Sequence, residues 1–107
     1  MARYEQLAQR QNTFRRANER IEVVAAMLGY DGARPFICEC SRDGCTLRID
    51  VSRDAYEAVR SHSSRFLTRL GHEYDELETV VELDGGFQVV EKYGTAGAIA
   101  LAGDPRS

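Results

Sequence analysis

All three cysteines of the chain lie within eight positions, inside residues 36–45, which read FICECSRDGC. This stretch is apolar at its start, breaks at Asp43-Gly44, and continues into the alternating segment LRIDV at residues 47–51. Because glycine readily adopts positive φ, the break predicts a tight turn between strands over residues 36–40 and 46–51. A hairpin with three cysteines at its closed end is the feature that most restricts the fold.

Strand geometry predicts where the three thiols point. Successive side chains of a strand alternate between its two faces, so Cys38 and Cys40 share a face. On the return strand, Cys45 has the parity of the alternating apolar residues Leu47, Ile49 and Val51. We therefore expect the sulfurs to converge next to the core. The chain begins without a secretory signal, which predicts a cytoplasmic protein, where clustered cysteines are more often metal ligands or redox groups than disulfides.

A tetrahedral zinc site needs a fourth ligand, and the chain offers two histidines, His62 and His72. His72 follows Gly71, in a predicted turn that can fit close metal geometry. His62 lies among serines at the end of a predicted short helix and is the alternative. We predict a closed, structural Zn²⁺ site, and its ligands are Cys38, Cys40, Cys45 and His72.

Three other interpretations of the cysteines stay open. They are three small buried residues that pack as hydrophobes, a Cys40–Cys45 disulfide with Cys38 free, and an iron–sulfur cluster. The CDGSH iron–sulfur family also begins its motif with Cys-x-Cys, but its third cysteine and its histidine share one short loop. In this chain Cys45 and His72 are far apart in sequence.

The N-terminal part predicts one long helix over residues 4–28. Apolar residues recur there with a period near 3.5, which is typical of a helix-pairing seam. The seam residues, interrupted by Arg10, are Leu7, Phe14, Ala17, Ile21, Val24 and Leu28. Such a seam either packs on its own domain or binds a protein partner or a second copy of the chain.

The charge of the chain is unevenly distributed. Residues 1–20 carry a balance of +3, although the whole chain has a net charge of −3. The arginines of a candidate anion-binding face are Arg10, Arg15, Arg16 and Arg20. They make nucleic acid a secondary partner hypothesis, which the acidic remainder of the chain disfavours. We expect no membrane-spanning segment and no catalytic residues.

The rest of the chain predicts an α+β fold. A short helix over residues 53–61 follows the N-cap residue Ser52, with apolar residues facing inward. An extended piece at 65–68, a hairpin of strands 78–83 and 87–93, and a helical turn at 95–102 complete the chain. We predict an N-terminal helix and linker over residues 1–33 and a zinc-binding domain of β-hairpins with one short helix over residues 34–107.

Several segments together resemble a family of small, uncharacterised bacterial proteins, and the likeness extends over nearly the whole chain. The segments are 14–15, 18–21, 36–40, 45–46, 56–60, 65–66, 71–73 and 89–92. In that family the Cys-Glu-Cys, the third cysteine and the Gly-His recur together. The resemblance implies that Cys38, Cys40, Cys45 and His72 form one site, and it implies no activity.

These features lead us to expect a non-enzymatic, cytosolic zinc-binding interaction or regulatory module. Its N-terminal helix would pair with a protein partner or with itself as a dimer. A thiol-based redox or metal sensor that uses the same cysteines is the alternative, and a nucleic-acid-associated regulator is a lesser one.

Overall fold

A computed structural model of the protein, which describes residues 3–106, confirms the α+β fold. The elements in chain order are α1 (Arg3–Met27), β1 (Arg34–Ile37), β2 (Arg48–Val51), α2 (Arg53–Arg60), β3 (Arg65–Thr68), β4 (Glu78–Asp84), β5 (Phe87–Lys92) and α3 (Gly94–Ala102). A long first helix thus precedes two small antiparallel sheets, with α2 between them and α3 at the end.

The strands form two sheets that one backbone hydrogen bond connects near the cysteines. β1 pairs antiparallel with β2, and the other sheet has the order β3-β5-β4. Beyond β1, the Glu39 amide donates to the Leu67 carbonyl of β3 at 2.8 Å. The chain therefore leaves the first sheet and meets the second within the Cys-Glu-Cys segment.

The first hairpin differs from its predicted form because its ladder ends before the cysteines. The last backbone hydrogen bond at the turn end of the hairpin runs from the Cys38 amide to the Leu47 carbonyl, at 2.8 Å. The chain then turns at Glu39 toward β3. Residues 38–47 form an irregular loop in place of two strand ends. Leu47 is 44 % exposed, whereas strand parity predicts a core position for it.

The short helix α2 agrees closely with its sequence signals. The Ser52 hydroxyl accepts a hydrogen bond from the Ala55 amide at 3.1 Å, as expected of an N-cap. Tyr56 and Val59 are buried, and the Tyr56 ring stacks on Phe36 with ring centres 4.1 Å apart. This stack attaches α2 to the hairpin that carries the cysteines.

Helix α1 packs on the rest of the molecule through a face that is mostly polar. Its buried residues are Leu7, Ala8, Gln11, Asn12, Arg15, Asn18 and Glu22. Of the predicted seam, only Leu7 is fully buried, against Leu77 and Ala96, while Val24 and Leu28 are exposed. The polar residues can turn inward because each finds a partner there, which satisfies the requirement that buried polar groups be hydrogen-bonded.

Asn18 makes three of these contacts. Its side-chain oxygen accepts from the Ile37 amide at 2.7 Å, and its side-chain nitrogen donates to the Ile37 carbonyl at 2.8 Å. The same nitrogen donates to the Glu39 carboxylate at 2.8 Å. Asn18 thus replaces a missing neighbour strand at the edge of β1, and this fixes α1 against the hairpin.

Two further buried contacts hold α1 against the second sheet. The Gln11 side chain donates to Glu78 at 3.1 Å and accepts from Lys92, which also pairs with Glu78. The Arg15 guanidinium donates to the Ala100 carbonyl and lies over the Phe66 ring, 4.4 Å from its centre. The whole length from residue 7 to residue 22 is therefore anchored.

The division into residues 1–33 and 34–107 stays a prediction, and residues 1, 2 and 107 lie outside the described part. The buried contacts of α1 cross that division, and the Glu39 carboxylate depends on Asn18 for one of its hydrogen bonds. We expect residues 34–107 alone to lose cooperative folding because that buried carboxylate would lose this donor.

Replacing Asn18 tests how α1 is held. Asn18→Ala should lower the free energy of unfolding by roughly 2 to 4 kcal/mol, since it removes one donor from the buried Glu39 carboxylate and both side-chain partners of the Ile37 backbone. Urea unfolding followed by circular dichroism measures this change. Arg16→Ala, on the exposed side of the same helix, is the control and should change it by less than about 0.5 kcal/mol. Equal effects of the two variants would contradict the proposed anchoring.

Candidate metal centre

Two loops bring the cluster together, one from each sheet. Cys38, Cys40 and Cys45 belong to the loop between β1 and β2, while His72 lies in the turn after β3. Each loop contains a glycine with positive φ, +72° at Gly44 and +79° at Gly71. Glycine adopts this backbone conformation without steric cost, so both loops can turn sharply next to a ligand.

The ligand atoms of the four residues face one another. The three cysteine sulfurs and one ring nitrogen of His72 all lie within 4.8 Å of each other. His72 Nδ1 is 3.7 Å from the sulfur of Cys38 and 3.7 Å from that of Cys45. The protein thus brings together the four side chains that the sequence pattern selected.

These distances match the edges of a small tetrahedron. With metal–sulfur bonds of about 2.3 Å and metal–nitrogen bonds of about 2.0 Å, a sulfur and a nitrogen on one tetrahedral ion lie roughly 3.5 Å apart. The observed separations of 3.7 Å exceed this by a small margin. Two edges of the cluster therefore fit one tetrahedral ion closely, and the 4.8 Å limit on the other edges exceeds the roughly 3.8 Å expected between two sulfurs on such an ion.

Backbone amides stabilise negative charge on the sulfurs. The Arg69 amide donates to the Cys38 sulfur at 3.2 Å, and the Arg42 amide donates to Cys40. The hydrogen bond between the thiols of Cys38 and Cys40 raises the pKa of Cys38, helped by burial, and lowers the pKa of Cys40, which accepts the proton. Contact with His72 lowers the pKa of Cys40 further. The site therefore favours a thiolate at Cys40, and metal binding requires thiolates.

The cluster is closed toward solvent. Cys38 and Cys40 have no exposed surface and Cys45 is 8 % exposed, while His72 is half-buried. All three cysteines are free thiols, which does not fit the alternative of a Cys40–Cys45 disulfide. The sulfurs also pack among core residues, as the hydrophobe interpretation expects, but their convergence on an imidazole nitrogen is the arrangement of a ligand set.

Glu39, between the two cysteines, fixes their orientation from the opposite side of the chain. Its carboxylate accepts hydrogen bonds from the Leu67 amide at 2.8 Å, from Asn18 at 2.8 Å and from the Tyr56 hydroxyl at 3.2 Å. Burial raises the pKa of this carboxyl group, and the donors act against that rise. These three bonds fix the middle of the Cys-Glu-Cys segment against α1, α2 and β3, and so hold the backbone that carries both cysteines.

Sequence reasoning assigned no role to Glu39 and treated the polar residues of α1 as solvent-facing. A signal was present in the acidic residue at the centre of the apolar segment FICEC. A second signal was the spacing of Gln11, Asn18 and Glu22, which places polar residues on one helix face.

The other predicted site residues lie away from the cluster, and some of them already bond to other parts of the protein. His62 is exposed and contacts Ser61, so it is not the fourth member of the cluster. Arg15 is fully buried and bonded to backbone carbonyls, which removes it from the candidate anion-binding face. Of the other arginines, Arg10 is paired with Asp43 at 3.4 Å, while Arg16 and Arg20 are exposed.

Comparison of the chain with protein-family models, with curated proteins and with solved structures gives no match. Among residues 3–106, no helix combines the length and the apolar character that crossing a bilayer requires. What the protein does must therefore be inferred from the site itself.

Exchange of each histidine tests the ligand set. His72→Ala should weaken zinc binding by at least about 100-fold, because it removes one of four ligands from a site without a substitute nearby. Competition with a chromogenic zinc chelator measures the affinity. His62→Ala is the matched control and should bind zinc like the unchanged protein. If both variants bound equally well, His72 would not be a ligand.

Proposed function

We propose that the protein is a non-enzymatic, cytosolic interaction or regulatory module stabilised by one Zn²⁺ ion bound to Cys38, Cys40, Cys45 and His72. The observation that carries this proposal is the convergence of three sulfurs and one imidazole nitrogen within 4.8 Å. Zinc bound by three thiolates and one histidine is a common structural site. A thiol-rich site also suits a reducing compartment, where cysteines stay free to bind metal.

The donor set favours zinc over the other common metals. Calcium and magnesium prefer oxygen ligands, which this cluster lacks. A [2Fe–2S] centre distributes its protein ligands over two irons, whereas the two sulfurs at 3.7 Å from His72 Nδ1 suit a single ion. Structural zinc sites are usually tetrahedral with sulfur and nitrogen ligands. The filled d shell of Zn²⁺ imposes no other geometry.

A structural role follows from what the ion would join. Residues 38–47 form an irregular loop, and His72 belongs to a turn that follows the other sheet. One ion at this point would tie the two sheets together where, within residues 3–106, they share a single backbone hydrogen bond, between Glu39 and Leu67. Four protein ligands also leave no coordination position for water or substrate, which supports the absence of metal-based catalysis.

The alternative, a thiol-based redox or metal sensor, draws support from the lowered pKa of Cys40, because the thiolate is the reactive form of cysteine. In such a sensor, peroxide would take two electrons from two thiolates. The products would be a disulfide, water and released zinc. Burial opposes this role, since Cys38 and Cys40 offer no surface to an oxidant.

The exposed end of α1 supports the interaction part of the proposal. Large apolar side chains lie open to solvent there, and they are Val23, Val24 and Met27 of α1 and Leu28 and Tyr30 just beyond it. Contiguous apolar surface of this kind marks protein–protein contact sites more often than free surface. Arg16 and Arg20 remain as exposed cations for the lesser, nucleic-acid alternative.

Metal content and metal removal test the central proposal. The purified protein should be colourless and contain about one zinc per chain by elemental analysis. Removing zinc with a chelator should lower the melting temperature by at least about 10 °C, because metal binding contributes directly to folding. Adding zinc back should restore it. Absence of metal, or a brown protein with iron, would overturn the proposal.

Zinc release under peroxide separates the structural site from the sensor. The closed site should retain zinc on a time scale on which a free thiol in solution is oxidised, because its sulfurs are buried. A zinc-sensitive dye reports the release. Cys45→Ser, which weakens the ligand set, is the control for a site that does lose zinc. Rapid release from the unchanged protein would favour the sensor.

A further inference from the structure

The last turns of α1 expose an unusual amount of apolar surface. Val23 and Val24 are 56 % and 51 % exposed, while Met27 and Leu28 are 79 % and 78 % exposed. The segment is continuous in sequence as VVAAML, residues 23–28, and contains no charge. The region is therefore a candidate contact surface, which we call the α1 end surface and define as residues 20–31.

This surface has the form of a ridge between two grooves. Arg20 and Val24 line both grooves, so the row of residues four apart along the helix forms the ridge between them. One groove, of about 760 Å³, lies between α1 and Pro105. The other, of about 440 Å³, lies between α1 and Tyr30. Helices pack when the ridge of one enters the groove of another, so this surface is shaped to receive a helix ridge.

Opposite charges lie at the two ends of the surface. Arg20 precedes the apolar segment and Asp31 follows it, and both side chains are exposed. Within residues 3–106 neither of them takes part in an ion pair. The last turn of α1 also carries no basic residue, so the partial negative charge at its C-terminal end is not compensated by its own side chains.

We propose that two copies of the chain associate through the α1 end surface, with the two helices antiparallel about a twofold axis near residues 25 and 26. This arrangement places Val24 of each copy against Met27 of the other. It also places Arg20 of each copy beside Asp31 and the C-terminal end of α1 of the other. The proposal rests on the proposed function in taking α1 as the contact element, and it specifies the partner.

Self-association accounts for the opposite charges that flank the apolar segment. Binding to an unrelated apolar partner would not require them. A twofold interface must be complementary to itself, so each residue and its contact lie at equal distances on opposite sides of the axis. On α1, Val24 and Met27 lie equally far along the sequence from the centre of the apolar segment. Arg20 lies one turn before Val24, and Asp31 lies just beyond the C-terminal end of the helix, so the two opposite charges flank the apolar segment. An interface with an apolar centre and a polar rim is also the usual arrangement in stable complexes.

Sedimentation velocity over a wide range of protein concentrations tests the proposal. The zinc-loaded protein should be a dimer that dissociates on dilution. Val24→Asp should weaken dimerisation by at least about 100-fold, because each interface would bury two unpaired charges. Leu83→Asp, at an exposed apolar site on β4, is the matched control and should leave the dimer unchanged.

Charge reversal tests the antiparallel arrangement. Arg20→Glu alone and Asp31→Arg alone should each weaken the dimer by roughly tenfold, and the double variant should recover most of the loss. The single effects should shrink at high salt. A monomer at all concentrations would overturn the proposal, and so would a dimer whose dissociation constant is unchanged by Val24→Asp. So would failure of the double variant to recover.

Zinc content, measured on the same samples, separates this proposal from the previous one. A zinc-loaded monomer would show that the metal site forms and that the α1 end surface does not bind a second copy. A dimer without metal would overturn the zinc site and leave the twofold contact in place.

Discussion

The hydrogen bonding of one buried carboxylate, that of Glu39, determines how the parts of this protein meet. Asn18 of α1, the backbone of β3 and Tyr56 of α2 all donate to it. A carboxylate without exposed surface is destabilising unless such donors surround it. The elements that supply the donors must therefore pack around Glu39 at the same time. The backbone between Cys38 and Cys40 is fixed by the same hydrogen bonds.

The metal centre and the helix contact are therefore two faces of the same short segment. On one side of residues 38–40, the sulfurs meet His72 from the turn after β3. On the other side, the Glu39 carbonyl accepts a hydrogen bond from Gln11 of α1 at 3.1 Å. A metal ion would add a bond between two sheets that otherwise share few backbone contacts. Loss of the ion should then destabilise the packing of α1 as well as the loops.

Sequence reasoning predicted the elements and the ligand set because both depend on local chemistry. The turn at Gly44, the cap at Ser52 and the second hairpin follow from residue preferences over a few positions. The four residues that the structure places together were identifiable because thiols and imidazoles are few in this chain. The polar face of α1 was not foreseen. Within the molecule the buried stripe runs through Gln11, Arg15 and Asn18, while partner binding by the apolar seam, which includes Val24, stays a prediction.

The sequence by itself determined the α+β class, the position of the hairpin turns and the group of residues able to bind a metal ion. Tertiary structure alone decided which face of α1 is buried and that Arg15 is part of the interior. It also decided that the apolar end of α1 stays open. The physical reason is that a polar side chain can be buried only where partners from distant segments satisfy it. Such partners, like the edge of β1 for Asn18, exist only after the chain has folded.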